Sequence, residues 1–435
     1  MLTITIIDLL LLPIYVIALS LMIRWYSKKH YENKQLLAYF SRGFRLKLLF
    51  GILFAFFSVY LIPGDTEMYY TGGIDFKHII FSNNNNLQFL FGPAKDFSDF
   101  YEQNQYRAAN FGYVSNAGNL MAMKLIALFS IFSFDSYLII SLFFATFSFF
   151  GLWCMFRVFH KIYPSYNKPL FITFFMIPSV LFWGSGVMKD TLSLGFLGIG
   201  FYNAYLFFME KKYQAKIFVA FSISFYFLYL LKPYIAMAFV PSFIFWYIFK
   251  IISLQKNKFV KAMWIIIPSL VMIFYLAFGN LNEIIAENAV ETLAENMQET
   301  QQNYIRATPD DGALIDYGEI VPTPLGIARI VPQALVATLF RPFLWEARKM
   351  TSLIAALEGA FLAFFTLYVF LKRGPFNSFR AVFSDSTIAF SLLFSIVFAT
   401  AIGLNCFNLG TLVRYKIPCL PFYLVSLLLI LKRNN

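Results

Sequence analysis

The sequence predicts an all-α fold: a polytopic membrane helical bundle of about eleven transmembrane helices, with interfacial half-helices and two large outer loops. Hydrophobic residues make up 59% of the 435 residues and charged residues only 13%, against roughly 25% in a soluble domain. Apolar runs of about 15 to 22 residues recur at the length that crosses hydrocarbon. Lysine and arginine are concentrated between alternate runs, as in cytoplasmic loops. We therefore expect residues 1–435 to form one continuous membrane domain.

The predicted crossings follow one another along the whole chain. The first apolar run, 5–24, is followed by basic residues rather than by a small-residue cleavage site, so we expect a retained helix and not a removed leader. The other ten are predicted at 46–62, 136–157, 168–184, 190–209, 216–231, 234–250, 261–279, 350–371, 384–404 and 416–431.

Two further apolar segments are not counted as crossings. A crossing at 119–134 would place the basic stretch 157–168 on the outer side of the membrane, against the charge rule. The segment 325–340 is interrupted by Pro332 and carries Arg329. We expect both segments to be half-inserted or interfacial helices.

The distribution of basic residues predicts the orientation. Most lysines and arginines lie in six connectors, which are expected to face the cytoplasm: 24–48, 157–168, 210–216, 250–261, 372–380 and 432–435. The N-terminus is then outside and the C-terminus is cytoplasmic. Most acidic residues fall in the outer loops, 63–135 with its interfacial helix and 280–349. The predicted location is the cytoplasmic (inner) membrane of a bacterium.

The second outer loop contains a regular acidic pattern. Glutamates recur at every fourth position: Glu283, Glu287, Glu291, Glu295 and Glu299. Apolar residues recur two positions out of phase: Leu281, Ile285, Ala289, Leu293 and Met297. These rows lie on opposite faces of a helix, which predicts an amphipathic helix whose acidic stripe is solvated. Cation binding by the stripe is the alternative.

Several classes of protein and site are not indicated. The three cysteines are scattered and there are only three histidines, so we expect no disulfide framework, no zinc site and no histidine-based catalysis. The net charge of +12 comes largely from the cytoplasmic connectors. Anionic membrane lipids are sufficient partners for those residues, so the charge does not indicate nucleic-acid binding.

Ionisable residues collect near the outer ends of the predicted helices. A charge at the centre of a bilayer costs roughly 2.5–3.5 kcal/mol on insertion scales, so such residues are usually paired or functional. A rim of this kind suits a ligand with an anionic head and a lipid tail, such as a polyprenyl phosphate or pyrophosphate. The rim residues are Asp65, Glu67, Lys189, Asp190, Lys232, Arg341, Glu346, Arg348, Arg414 and Lys416.

Each signal also has a purely structural interpretation. Asp65 follows Pro63 and Gly64, a position where an aspartate caps a helix. Lys189 and Asp190 are adjacent, so they suit a local ion pair in a hairpin. Lys232 precedes a proline and suits a structural role.

The later rim residues have structural interpretations as well. Arg414 and Lys416 suit interfacial anchors whose long stems extend to the membrane surface. Glu358, inside a predicted helix, is expected to pair with a basic rim residue or with a helix hydroxyl.

Four passages together resemble one group of proteins. They are 64–70 (GDTEMYY), 178–190 (PSVLFWGSGVMKD), 340–346 (FRPFLWE) and 408–418 (NLGTLVRYKIP). With the half-inserted segment 119–134, they resemble the C-type membrane glycosyltransferases that use lipid-linked sugars, and bacterial polysaccharide polymerases of similar architecture. The chain departs from that pattern in an extra helix before Asp65 and in acids that are not adjacent.

The resemblance implies roles for particular residues. The acceptor base would be Asp65, then Glu67, with Asp190 third as an acceptor-orienting or metal-binding group. Phosphate oxygens of the lipid-linked donor would be bound by Lys189, Arg341, Arg414, Lys416 and Lys232. Sugar rings would stack on Tyr69, Tyr70, Trp183 and Trp345. No cofactor is identified, and a requirement for a divalent cation is left open.

Three alternatives remain open at this point. A ligase or polymerase would work with arginines and no carboxylate base. A transporter or flippase would move the same lipid-linked saccharide, and a non-catalytic membrane scaffold would use the rim charges only for stability. The enzymatic interpretation predicts that Asp65, Asp190, Arg341 and Arg414 converge in one polar pocket at the outer lipid boundary.

Overall fold

The computed structural model describes residues 2–61, 64–253, 289–307 and 314–433. These residues are almost entirely helical, and their only extended pairing is an isolated bridge between Leu314 and Asn408. The chain divides into two compact units. The N-terminal unit comprises 1–176 and 180–233, and the C-terminal unit comprises 177–179 and 234–435.

Eleven α-helices precede Pro233 in the described part of the chain. They are α1 Ile6–His30, α2 Lys34–Tyr60, α3 Gly64–Ser82, α4 Ala94–Gln103, α5 Phe111–Val114, α6 Ala117–Ser133, α7 Tyr137–Ile162, α8 Asn167–Phe175, α9 Pro178–Phe182, α10 Lys189–Ala204 and α11 Ala215–Leu231. A π-helical turn, Tyr205–Met209, extends α10. Short 3₁₀ helices lie at Asn84–Leu90, Ala108–Asn110 and Pro164–Tyr166.

The remaining described helices belong to the C-terminal unit, apart from the first residue of α12. They are α12 Pro233–Ser253, α13 Ala289–Ala307, α14 Pro324–Phe340, α15 Met350–Arg373, α16 Pro375–Ser384, α17 Ser386–Asn405, α18 Leu409–Tyr415 and α19 Leu420–Lys432. A 3₁₀ turn, Leu344–Glu346, precedes α15.

Within the described residues, seven helices are long and apolar enough to cross a membrane: α1, α2, α7, α10, α12, α15 and α17. The number is nine if each of two bent pairs is one span. Helices α1 and α15 leave large apolar side chains exposed, including Ile14 (60%) and Phe364 (71%), as suits surfaces that face lipid. The prediction of an all-α, multi-pass membrane protein is confirmed.

The predicted crossing at 168–184 is wrong. It is divided into α8, which has nine residues, and α9, which has five, and each is too short to cross hydrocarbon. The break falls immediately before Pro178, because proline lacks the N–H that would continue the ladder and restricts the residue before it. The predicted crossing at 261–279 lies outside the described residues.

The cytoplasmic connector predicted at 24–48 is largely helical. Helix α1 continues to His30, and α2 begins at Lys34 after the side chain of Asn33 accepts hydrogen bonds from Gln35 N and Leu36 N. A hydrophobicity window places the helix start late, because the first turns of α2 are basic. Lys47, counted within this connector, is completely buried.

The segments predicted to be half-inserted both form 17-residue helices, α6 and α14. Helix α6 follows Ala108–Val114 across a bend of 112°. Helix α14 contains Pro332 in its interior. Their position relative to the membrane surface stays a prediction.

Helix α13 provides the described part of the predicted amphipathic helix. Its residues Ala294 and Met297 are buried, whereas Glu295 and Glu299 are exposed. The other glutamates and apolar residues of the two rows lie outside the side chains that the structure describes.

Helices α7 and α10 cross through glycines in the N-terminal unit. A Cβ atom on Gly198 would lie 2.0 Å from the carbonyl oxygen of Gly151, and a Cβ on Gly151 would lie 2.5 Å from the Cα of Gly195. Small residues allow this close backbone approach, and in lipid the packing itself drives helix association. The crossing fixes the direction of α10, whose first residues are Lys189 and Asp190.

We expect Gly198→Leu to destabilise the N-terminal unit by about 1–3 kcal/mol or more, because the new side chain meets backbone that cannot move aside. The measurement is the thermal midpoint of the detergent-solubilised protein, followed by reaction of its free cysteines with a fluorogenic maleimide. The control is Gly112→Leu, since a Cβ there has no atom within 4 Å. Equal midpoints for the two variants would contradict the crossing.

Helices α12, α14, α15, α17 and α19 pack together in the C-terminal unit. Phe239, Trp246, Phe390 and Phe422 form a cluster of aromatic rings, with Trp246 and Phe390 stacked at 4.7 Å. The carbonyl oxygen of Ala334 lies 2.4 Å from the position of a Cβ on Gly403, so α14 and α17 are in close backbone contact.

Candidate functional site

Helix α3 carries the two acids of the first rim passage in its first turn. Gly64, with φ at +48°, occupies a backbone conformation that favours glycine. Asp65 Oδ1 accepts a hydrogen bond of 2.7 Å from the Tyr113 hydroxyl of α5. Glu67 Oε1 accepts one of 3.0 Å from the backbone N–H of Leu2. The positive end of the α3 dipole stabilises both carboxylates.

Two tyrosines connect Asp65 with the start of α10. The buried ring of Tyr69 makes an edge contact with Tyr113 at 5.8 Å, and its hydroxyl donates to Asn119 Oδ1 at 3.3 Å. The ammonium of Lys189 lies 6.0 Å from the centre of the Tyr69 ring. We call Asp65, Tyr69, Tyr113, Asn119 and Lys189 the Asp65 cluster. It brings four helices of one unit, α3, α5, α6 and α10, to one place.

Asp190 forms a buried ion pair with Lys232. Their carboxylate and ammonium are in direct hydrogen-bond contact, and both side chains are 5% exposed. The pair joins the first turn of α10 to the C-cap residue of α11. The sequence leaves open a local ion pair between Lys189 and Asp190. In the structure Asp190 pairs instead with Lys232, 42 residues away.

The end of α11 also touches the start of α6. A Cβ on Gly118 would lie 2.8 Å from the carbonyl oxygen of Leu231, so only glycine permits this approach. Asn119, the next residue, contacts Tyr69. The ends of α6, α10 and α11 are thereby held together beside the Asp65 cluster.

Lys47 of α2 is a buried charged residue that the sequence analysis did not identify as a candidate for function. Its ammonium is completely buried and donates to the carbonyl oxygens of Gly184, at 2.6 Å, and Val180, at 3.1 Å. Val180 lies in α9 and Gly184 in the turn that follows it, so these carbonyls belong to a helix end that has no further N–H groups to offer them. Lys47 therefore fixes the turn that leads to α10. Trp183, in the same turn, packs its ring edge-on against Phe54.

Arg341 and Glu346 form an ion pair in the C-terminal unit. The Arg341 Nε atom lies 3.0 Å from Glu346 Oε1, and the N–H of Phe343 donates to Oε2 at 2.7 Å. Burial alone would raise the pKa of Glu346, but these hydrogen bonds outweigh it and hold the pKa below its usual value. A phosphate that binds Arg341 must compete with this carboxylate.

Lys416 and Glu358 are buried in the same unit as Arg341. The ammonium of Lys416 donates to the carbonyl oxygen of Arg341 at 3.3 Å, and the residue is completely buried, so the interpretation as an interfacial anchor is wrong for Lys416. Glu358 accepts hydrogen bonds of 2.7 Å from both the N–H and the hydroxyl of Ser179. The predicted pairing of Glu358 with a helix hydroxyl is confirmed.

The other predicted residues of the C-terminal unit lie nearer its surface. Arg414 is partly buried, with its guanidinium 6.0 Å from the ring centre of Tyr415. Trp345 is 81% exposed and stacks on Phe343 at 4.8 Å. Tyr317, which the sequence analysis did not single out, is buried and donates its hydroxyl hydrogen to the carbonyl oxygen of Gly403 at 2.8 Å.

Each unit thus gathers part of the predicted site. In the N-terminal unit Asp65, Tyr69 and Lys189 lie in one cluster, and in the C-terminal unit Arg341 contacts Lys416. The predicted convergence of Asp65 and Asp190 with Arg341 and Arg414 involves both units and stays a prediction. Within the described ranges, no three His, Cys, Asp or Glu side chains are close enough together to hold a metal ion.

Comparisons of the chain with known protein families, with curated proteins and with solved structures found no match. Its function is therefore argued from the chemistry of its own side chains.

Proposed function

We propose that this chain is a membrane glycosyltransferase or polysaccharide polymerase. Its donor would be a sugar linked to a polyprenyl phosphate or pyrophosphate, used at the outer face of a bacterial cytoplasmic membrane. The observation that carries the proposal is the Asp65 cluster, in which a carboxylate, an ammonium and two phenols meet. Ionisable groups are costly in an apolar protein, and four helices contribute to this cluster, so a role in chemistry accounts for it better than isolated caps.

The reaction class sets what the protein must supply. The bond between the anomeric carbon and the phosphate oxygen breaks, and the phosphate leaves with the electron pair. The acceptor hydroxyl oxygen forms the new bond to the anomeric carbon and gives up its proton. Because the anomeric centre passes through oxocarbenium-like character and the phosphate departs as an anion, the reaction needs a base and cations but no acid.

The Asp65 cluster contains both kinds of group. The Asp65 carboxylate accepts the proton of the acceptor hydroxyl, and the Tyr113 hydroxyl orients that carboxylate from one side. The Lys189 ammonium, beside Tyr69, stabilises the departing phosphate. Glu67, in the same helical turn, is the second candidate for the base.

Arg341 and Arg414 stay predicted ligands of the donor phosphate oxygens, since the planar guanidinium matches them with two parallel hydrogen bonds. Asp190 and Lys232 neutralise each other in the protein interior, so in this proposal they position Lys189 and do not touch the donor.

Deletion of the protein in its native cells tests the function. We expect lipid-linked saccharides to accumulate, measured by mass spectrometry of extracted lipids, and the surface polysaccharide to be lost or shortened. Re-expression of the wild-type chain restores both. Unchanged lipid-linked saccharides and unchanged polysaccharide would contradict the proposal and leave a scaffold as the remaining function.

The same experiment separates a transporter from a transferase. A transporter that is deleted leaves its lipid-linked saccharide on the cytoplasmic leaflet, whereas a deleted transferase leaves it on the outer leaflet. Periodate, which does not cross the membrane, oxidises the saccharide in intact cells only in the second case. Protection of the accumulated saccharide would therefore favour transport over transfer.

A further inference from the structure

A cavity of about 460 Å³ lies within the N-terminal unit, apart from the Asp65 cluster. Its walls come from the first residues of α1, from the middle of α3, from Arg107 before α5 and from the turn that joins α6 to α7. This volume falls in the range of small-ligand sites, which is about 300–1,000 Å³. The sequence interpretation assigned one of its lining residues, Tyr70, to sugar binding.

Hydrogen-bond acceptors in the cavity are fixed in place. The Asp8 carboxylate accepts from Thr5 N and Oγ1, at 2.7 and 2.6 Å, and from the hydroxyl of Ser136. The Asp135 carboxylate is bound by the ammonium of Lys77. Carboxylates held in this way keep lone pairs for further donors and lose little side-chain entropy when a ligand binds.

The charges that line the cavity do not suit an anionic ligand. The lining includes two carboxylates, Asp8 and Asp135, and one guanidinium, Arg107, so its formal charge is negative. Arg107 is also in contact with the Asp75 carboxylate, at 3.4 Å. A phosphate or sulfate would be repelled, whereas an uncharged ligand with many hydroxyls finds both acceptors and a donor.

One wall of the cavity is an aromatic side chain in an unusual turn. Phe134 and Asp135 both have positive φ, at 53° and 60°, which bulky residues rarely adopt and which costs of order 1–3 kcal/mol each. The turn is held by the Tyr70 hydroxyl, which donates to the Asp135 carbonyl at 2.6 Å. Phe134 remains 74% exposed. An exposed ring at a polar cavity suits the apolar face of a sugar.

The cavity and Asp65 both lie beside α3, on different faces of the helix. Tyr70 and Thr71 lie five and six residues after Asp65, which places them about 8–9 Å further along the axis and roughly 120–140° around it. A saccharide bound in the cavity would therefore have to pass around α3 to reach Asp65. Leu2, which precedes the lining residue Thr3, donates its backbone N–H to Glu67. The residues before α1 therefore lie beside the first turn of α3 as well as beside the cavity.

We propose that this cavity binds an uncharged saccharide, the acceptor of the proposed transfer. The inference rests on the proposed function for the identity of the acceptor. It assigns recognition of the saccharide to Asp8, Tyr70, Arg107, Phe134 and Asp135, and leaves the lipid phosphate to other residues.

Saccharide binding to the full chain in lipid nanodiscs tests the inference. The ligands are methyl α-glucopyranoside, methyl β-galactopyranoside, N-acetylglucosamine and maltose, with inorganic phosphate as the charged comparison, all followed by saturation-transfer NMR. We expect at least one neutral saccharide to bind and phosphate not to compete with it. No binding by any of the four, or displacement by phosphate, would overturn the inference.

Variants locate the binding site. Ile74→Trp and, separately, Thr3→Trp fill the cavity from two sides and are expected to weaken saccharide binding at least about tenfold. The control Ile17→Trp adds the same ring on an exposed face of α1 and is expected to change nothing. Normal binding by both folded cavity variants would overturn the inference.

Asp65→Asn distinguishes this inference from the proposed function. The variant is expected to bind the saccharide like the wild type and to lose transfer. If it binds normally and also transfers normally, the proposed mechanism fails and the saccharide cavity stands. If it loses saccharide binding while folded, the ligand lies at the Asp65 cluster and the cavity inference fails.

Discussion

Asp65→Asn is expected to reduce glycosyl transfer by about 10²–10⁴-fold, the usual contribution of a positioned general base. Asparagine has the same shape and accepts the Tyr113 hydrogen bond through its amide oxygen, but it cannot take a proton. The lipid-linked donor should still bind, because its phosphate is held by cations. The measurement is the turnover of the purified chain in nanodiscs, with the lipid-linked saccharide that accumulates in the deletion strain as substrate.

Two further variants make this result specific. Glu67→Gln, in the same turn of α3, is expected to retain most of the turnover if Asp65 is the base. Glu295→Gln changes an exposed acid of α13 and serves as the control for a general effect of charge. Full turnover by Asp65→Asn would support the arginine-only mechanism of a ligase. Loss of turnover in Glu67→Gln but not in Asp65→Asn would assign the role of the base to Glu67.

The membrane class and the long crossings could be predicted from the sequence because each depends on one local feature, the length of an apolar run. Helices α1, α7, α15 and α17 contain apolar runs of about the bilayer length with at most one charged residue inside them, so composition alone defines them. Their ends were less well predicted. Helix α2 begins 12 residues before the predicted 46, because basic turns that continue a helix have no hydrophobic signature.

The crossing at 168–184 was predicted wrongly because hydropathy does not register backbone geometry. The segment is apolar throughout, yet Pro178 divides it, and the following turn is stabilised by the ammonium of Lys47. That contact joins residues 137 positions apart in the chain. Nothing local to Lys47 distinguishes it from the basic residues of a cytoplasmic loop.

The candidate site was predicted in part for the same reason. Asp65, Lys189 and Asp190 stand out as charges at helix ends, where a rim of charge is costly without a function. Their partners do not stand out. Tyr113 and Asn119 lie in ordinary loop and helix sequence, and only the fold brings them to Asp65 and Tyr69. Lys232 was identified as structural, but its pairing with Asp190 requires α10 and α11 to meet at their ends.

Breaking the Asp190 to Lys232 pair is expected to give the largest loss of stability. Each single change, Asp190→Asn or Lys232→Met, leaves one buried charge without its partner and should cost about 3–5 kcal/mol. The double variant should cost less than the sum of the two, because no uncompensated charge remains. Maleimide reaction of Cys154, which lies in α7 beside α10, reports the unfolding of this unit.

The control for this cycle is an ion pair nearer the surface. Lys161 contacts Glu210 with 51% of its side chain exposed, and Glu210 also contacts Lys212, so Lys161→Met should cost under about 1 kcal/mol. If Asp190 instead acted on substrate from a solvated position, Asp190→Asn would lose transfer at unchanged stability and the double variant would recover nothing. Recovery of folding in the double variant, with transfer still reduced, would mean that the pair holds α10 and thereby positions Lys189.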